Sequence, residues 1–324
     1  MAGAIAGTAI LNIENHKEVL DTVTLTINNE CNMQCRHCYL QYNSDKSIIT
    51  DDVLNGLFAN RFRHLVIVGK EPLVNDLSIN KLCYIVEKCR EIDSTISMVT
   101  NGINLVSLPT SILPLFDYID VSFDGGIKSY ANYRRGELSK IIDGIHFCLS
   151  HGLKEVNALH TICNQTIDNI TDCISLNQEI PFKTILFTPY IVTHNQGNIF
   201  VSSIPLLEII QHMDNNETFN NTDETMLLID NYHIEQDKMS VFDLYKVLNN
   251  VKNKNKYRIF ESDPLYYGIV RVTYDGLILS PRQSLHTACY HTVRSFIGQN
   301  NLNMVFHNLL KEEKESNGNK RIEF

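Results

Sequence analysis

Cys31-Asn32-Met33-Gln34-Cys35-Arg36-His37-Cys38-Tyr39 holds three of the nine cysteines of this chain at C-x3-C-x2-C spacing, shortly after the alternating run Thr22-Val23-Thr24-Leu25-Thr26-Ile27. Alternation with a period of two marks a half-buried strand, so the cysteines fall on a loop at a strand's exit. Three thiolates on one short loop are soft ligands suited to an iron–sulfur cluster, zinc or copper(I). A closed structural zinc site wants four ligands, usually from two separated pairs, and no second C-x2-C follows. Three cysteines without a fourth fit a [4Fe–4S] cluster with one iron left open for a cofactor.

Outward from this loop the pattern repeats. Asp51 or Asp52 caps a short helix through Leu57, and Leu65-Val66-Ile67-Val68-Gly69 reads as a buried strand ended by glycine. Asp76 or Ser78 opens a helix with Leu82, Ile85, Val86, Cys89 and Ile92 on one face. Strands follow at Ile96–Thr100, Tyr118–Gly125, Glu155–Thr161 and Thr184–Thr188. Between them lie helices at about Glu137–Ser150, stopped by Gly152, and Ile167–Leu176. Six strands alternating with helices imply parallel β/α units. Cys89 and Cys148 read as core, and Cys83, Cys163 and Cys173 as packing.

Four segments, in order, resemble the motifs of the radical S-adenosylmethionine (radical SAM) enzymes: the cysteine loop, Gly69-Lys70-Glu71-Pro72, Thr100-Asn101-Gly102 and Ser122-Phe123-Asp124-Gly125. The resemblance implies a partial (β/α)6 TIM-like barrel over residues 22–213. It implies one [4Fe–4S] cluster on Cys31, Cys35 and Cys38, with S-adenosylmethionine (SAM) on its open iron. Gly69, Lys70, Glu71, Thr100, Asn101, Ser122, Asp124, Arg135 and Thr161 would surround SAM, with His37 or Tyr39 near the adenine. Lys70 departs from the family's Gly-Gly-Glu-Pro loop. His160 and Tyr190 are weaker pocket candidates. In full barrels the site lies at the C-terminal ends of the strands, where all four motifs fall.

Past the polar run Asp214–Glu224, residues 214–310 resemble a reduced SPASM or twitch extension. Ile269–Leu279 reads as a hairpin with an Asp275-Gly276 turn. The cysteines that would bind auxiliary clusters are missing, since Cys289 is the one cysteine after Cys173. The extension is therefore expected to carry no cluster. Cys289 is a candidate hydrogen donor to a substrate radical, against the plainer reading of a small buried hydrophobe. Residues 1–21 are assigned as an N-terminal extension without a function, and 311–324 as a polar tail that frays.

A net charge of −9 with no basic run gives no electrostatic footprint for nucleic acid or anionic membrane. No apolar run reaches bilayer length and no basic secretory n-region opens the chain, so a cytosolic protein is expected, and the resemblance implies that it is oxygen-sensitive. The resemblance implies a flavodoxin- or ferredoxin-type electron donor and a peptide substrate, matured by epimerisation, cross-linking or cleavage. About twenty residues before the first strand are too few for a leader-peptide domain. A small-molecule substrate (sugar, nucleoside or amino acid) and a non-catalytic iron–sulfur or zinc protein are the alternatives.

Overall fold

The structure, a computed structural model, describes residues 20–38, 46–124, 126, 130, 133–134, 136–176, 179–192, 201–260, 268–279, 295–296, 308 and 311. Eight strands run in chain order and in parallel: β1 (Leu20–Thr26), β2 (Phe62–Val68), β3 (Thr95–Thr100), β4 (Tyr118–Ser122), β5 (Val156–Ile162), β6 (Thr184–Pro189), β7 (Thr225–Asp230) and β8 (Tyr257–Phe260). Each parallel pair needs a crossover, and helices supply most of them. These are α1 (Asp51–Phe58), α2 (Asp76–Glu91), α3 (Leu138–Ser150), α4 (Ile170–Ser175), α5 (Leu206–Asn215), α6 (Glu217–Asn221), α7 (Asn231–Gln236) and α8 (Val241–Leu248). The β3–β4 connection instead uses two 3-10 turns, Leu105–Ser107 and Leu113–Leu115.

The expected α/β partial barrel is present, and its parallel run goes on for two strands beyond the sixth. Thr225-Met226-Leu227-Leu228-Ile229-Asp230 joins β6 and pairs on its far side with β8, so the sheet passes through the polar run at 214–224 without a break. The six strands expected from the sequence leave both out. The 269–279 hairpin forms as expected: β9 (Ile269–Val272) pairs in parallel with the free edge of β1, and β10 (Leu277–Leu279) runs antiparallel to β9. Gly276 takes φ +83 at the turn, a left-handed conformation that glycine adopts freely. β11 (Ser295–Phe296) completes the order β11-β10-β9-β1-β2-β3-β4-β5-β6-β7-β8.

Alternation gives the sheet two chemically different faces. Val23, Leu65, Ile96, Met98, Ile119, Val121, Ala158 and Ile185 point to one side and join the helix residues Leu54, Leu82, Ile85, Ile141 and Ile145 in one buried core. Cys89, Cys148 and Cys173 belong to this core, Cys83 packs against it, and Cys163 is buried in a smaller cluster with Tyr133, Tyr190 and Val201. The other face carries Thr24, Val66, Ser97 and Tyr118 in one register row and Val99, Asp120, Asn157 and Thr184 in the next. Helix caps lie one residue upstream of the expected aspartates: Thr50 Oγ1 accepts from Val53 N, and Asn75 Oδ1 from Ser78 N. No helix among the described residues is long and apolar enough to cross a membrane.

Candidate functional site

The strand ends bring the cysteine loop, the 69–73 loop, the end of β3 and the segment after β4 together. Asn28, just past β1, begins the assembly. Its Nδ2 donates to the Glu71 carbonyl and to Ser78 Oγ, each at 2.7 Å, and Glu71 N donates to the Glu30 carbonyl at 2.9 Å. Gly69 suits this fit, because a Cβ there would stand 3.0 Å from Asn28 Oδ1 and press on it. Glu71 is buried, and its carboxylate accepts from Thr100 Oγ1 at 2.6 Å, Asn101 N at 2.7 Å and Leu73 N at 2.9 Å. Those three donors fill most of its acceptor capacity, so Glu71 ties two loops together and the loop's backbone is what it offers to a ligand. Burial raises the Glu71 carboxyl above its ordinary value, and the three hydrogen bonds work against that rise.

Asn101 reaches the cysteine loop. Its Nδ2 donates to Asn32 Oδ1 at 2.7 Å and lies 3.8 Å from Cys31 Sγ, while its Oδ1 accepts from Ile103 N at 3.0 Å. Gly102 turns the chain at φ +83, where a Cβ would collide with Ile141 and Val121. The expected Thr-Asn-Gly ending is thus used by all three of its residues.

Asp124 forms the second centre. It is buried, accepts from Arg134 Nη1 and from Thr161 N, and has His37 Nε2 at 3.5 Å. Burial alone would raise its carboxyl, but the Arg134 guanidinium, with His37 and the Thr161 amide, holds it below the usual carboxylate range. Burial pushes the His37 imidazole down to about 4, against the pull of Asp124. The His37 ring stacks on Tyr133 at 4.8 Å, and Arg36 N donates to the Tyr133 carbonyl at 3.2 Å, so the cysteine loop docks against the 130–136 segment.

Arg135, the arginine expected at SAM, lies outside the described residues together with Tyr39 and Cys289. The buried arginine that meets Asp124 is its neighbour Arg134, whose N–H bonds the Tyr130 carbonyl one helical turn back. Gly69, Lys70, Ser122 and Thr161 are half-buried at the strand ends. His160 lies behind the strand ends, within electrostatic reach of Asp124. It stands on the core face of β5, stacked on Phe187 at 5.0 Å, and burial pushes it down to about 4. Asn28, Asn32 and Arg134 escape sequence reasoning; of these Arg134 alone has a usable signal, its i, i+4 spacing from Tyr130.

Among the described residues no three His, Cys, Asp or Glu side chains are already gathered around one point. Cys31 and Cys35 are half-buried and Cys38 is exposed, and each thiolate would feel the others' charge. A four-iron cluster takes one thiolate per iron, so three cysteines on one loop suit it with one iron left open, whereas a closed structural zinc site wants four ligands. Burial pushes the Cys31 thiol up to about 12 and raises that of Cys35, while Arg134 lowers the latter. Metal binding demands thiolates, and a buried guanidinium beside Cys35 supports one. The donor set fits an iron–sulfur cluster.

Comparison with known proteins agrees with this chemistry. Residues 22–139 match the 4Fe-4S single cluster domain family. The chain is 28% identical over 191 residues to the GTP 3',8-cyclase of Clostridium acetobutylicum, covering 53% of this chain and 57% of that protein. These matches are similarities over part of the chain. The fold recurs in two solved structures. Streptococcus suis SuiB bound to the precursor peptide SuiA gives a TM-score of 0.61 at 16% identity, over 89% of this chain and 65% of SuiB. The anSMEcpe protein with bound AdoMet gives 0.58 at 15% identity, over 88% of this chain and 77% of that one. The chain thus spans little more than half of its curated relative and just under two thirds of SuiB.

Proposed function

We propose that this chain is a one-cluster radical SAM enzyme acting on a peptide, in ribosomal peptide maturation by epimerisation, cross-linking or cleavage. The observation that carries the reading is the single assembly in which Asn101 reaches from the end of β3 to the Cys31 loop, while Asp124 holds Arg134 beside Cys35 and lies near His37. Cys31, Cys35 and Cys38 hold the cluster. The backbone at Gly69–Glu71 and the polar ends of β3 and β4, with Ser122, bind SAM. When bound, the cluster and SAM supply a 5′-deoxyadenosyl radical that takes hydrogen from substrate. Glu71 and Asn28 fix the loops so that these groups stay in register. The buried Asp124–Arg134 pair keeps a guanidinium, with its parallel N–H donors, beside the thiolates.

The peptide reading is supported by the likeness in fold to SuiB, which was solved with its precursor peptide. A second reading, a small-molecule substrate, is favoured by the likeness to GTP 3',8-cyclase. Anaerobically reduced protein given SAM, with either synthetic peptides or GTP, separates the two. 5′-Deoxyadenosine formed above background in the peptide arm supports the first; stimulation by GTP alone transfers the reading to the second.

A further inference from the structure

The sheet face turned away from the helices carries a polar patch on β4 and β5, and two of its acceptors make no hydrogen bond among the described residues. Asp120 sits at the centre of β4, next in register to Asn157 on β5. Both are buried, and Asn157 Nδ2 donates to Asp120 Oδ1 at 2.8 Å. The remaining oxygens, Asp120 Oδ2 and Asn157 Oδ1, are buried and make no hydrogen bond among the described residues. A buried acceptor without a donor is unfavourable, and two on adjacent strands are unusual in a folded protein. Each is an oxygen, one belongs to a carboxylate, and the Asn157 amide donates to their mutual contact. Such a pair calls for N–H donors and positive charge.

Its position gives the pair a meaning. Asp120 and Ser122 are two residues apart on one strand, so they share a face and lie about 7 Å apart along it. The same face carries Tyr118 at the start of β4 and Ser97 from β3, with His64 bonded to Ser97 Oγ at 2.9 Å and to Tyr118 Oη at 3.2 Å. That cluster is internally satisfied. The unsatisfied oxygens stand between it and the strand ends where the cofactors bind.

We propose that Asp120 and Asn157 form a substrate subsite for a guanidinium or ammonium group, such as an arginine or lysine side chain, on the polar face of the sheet below Ser122. A guanidinium answers both oxygens with parallel N–H donors, and an ammonium answers them with one rotating donor set. The proposal rests on the strand ends being the reaction site, and it narrows the substrate to one that carries a cation a short distance from the atom that loses hydrogen.

The test uses the full chain, anaerobically reconstituted and saturated with SAM, and reads the binding of methylguanidinium, methylammonium and neutral N-methylurea by saturation-transfer NMR. Both cations should bind roughly tenfold or more tightly than N-methylurea. Asp120→Asn, nearly isosteric, should abolish that preference, and Asn157→Ala should weaken methylguanidinium several-fold while a preference for cations remains. Equal binding of the three probes, or a cation preference that survives Asp120→Asn, overturns the proposal. Should Asp120→Asn not fold, the Asn157→Ala arm decides by the same criterion: unchanged methylguanidinium binding overturns it. 5′-Deoxyadenosine formation in the same samples reports on SAM cleavage separately, so failure of the subsite is distinguished from failure of the enzymatic reading.

Discussion

Thr100 Oγ1 donates a hydrogen bond to Glu71 Oε1 at 2.6 Å, joining the end of β3 to the loop after β2 inside the protein. With Asn101 N and Leu73 N on the same carboxylate, one buried side chain sets the relative height of two loops of the candidate site. Glu71→Gln keeps the shape but turns an amide NH2 toward at least one of these donors. Leaving a buried donor unpaired costs about 1–3 kcal/mol, so the variant should lose that much stability in urea unfolding and bind SAM more weakly. An unchanged urea midpoint would contradict the brace.

The Asp124–Arg134 pair is buried on both sides, so removing one member leaves a bare charge. Arg134→Met and Asp124→Asn should each cost on the order of 3–5 kcal/mol, and the double variant should recover a large part of that loss. A double-mutant cycle by denaturant unfolding measures the coupling. Additive losses would mean that the two residues act independently.

His64 gives a prediction in pH. Burial pushes its imidazole down to about 4, from an ordinary value of 6.5. The unfolded chain therefore takes up the proton first, and the His64 contribution to stability is complete above pH 6.5 and declines as pH falls toward 4. His37 and His160 share that direction, so the wild type should lose stability steeply across this window. His64→Gln should show a shallower slope between pH 6.5 and 4; parallel curves would refute the assignment.

The fold was legible wherever a strand was apolar and ended in glycine or a small polar residue. β1 to β6 and the 269–279 hairpin fall where period and turn chemistry place them. β7 is hidden because Asp214–Glu224 reads as a linker, although Met226-Leu227-Leu228-Ile229 after it is a buried strand's run. The site residues were legible where a motif names a position. They were illegible where tertiary contact chooses between neighbours. Arg134 and Arg135 are the same residue type in adjacent places, and the fold brings Arg134 to Asp124. Asn28 has no local signal, since its role is to bridge a carbonyl and a hydroxyl far along the chain.

Asp120 supplies a second pH prediction. Burial pushes its carboxyl up to about 7, and the Asn157 hydrogen bond opposes the rise. A cation bound to its oxygen favours the ionised form, so binding releases a proton when the free carboxyl is protonated. Methylguanidinium affinity should therefore rise from about pH 6 to about pH 8 and then level, and Asp120→Asn should be flat across the range. A flat wild-type profile would contradict the assignment.

The central proposal is that Cys31, Cys35 and Cys38 together hold one cluster that works on SAM. Anaerobic reconstitution, followed by iron and sulfide counts and a 5′-deoxyadenosine assay with dithionite and SAM, tests this most directly. The wild type should carry roughly four irons per chain, and the Cys31→Ala/Cys35→Ala/Cys38→Ala variant should lose both cluster and 5′-deoxyadenosine. Bound zinc in place of iron, or a four-iron chain that leaves SAM intact, would contradict it.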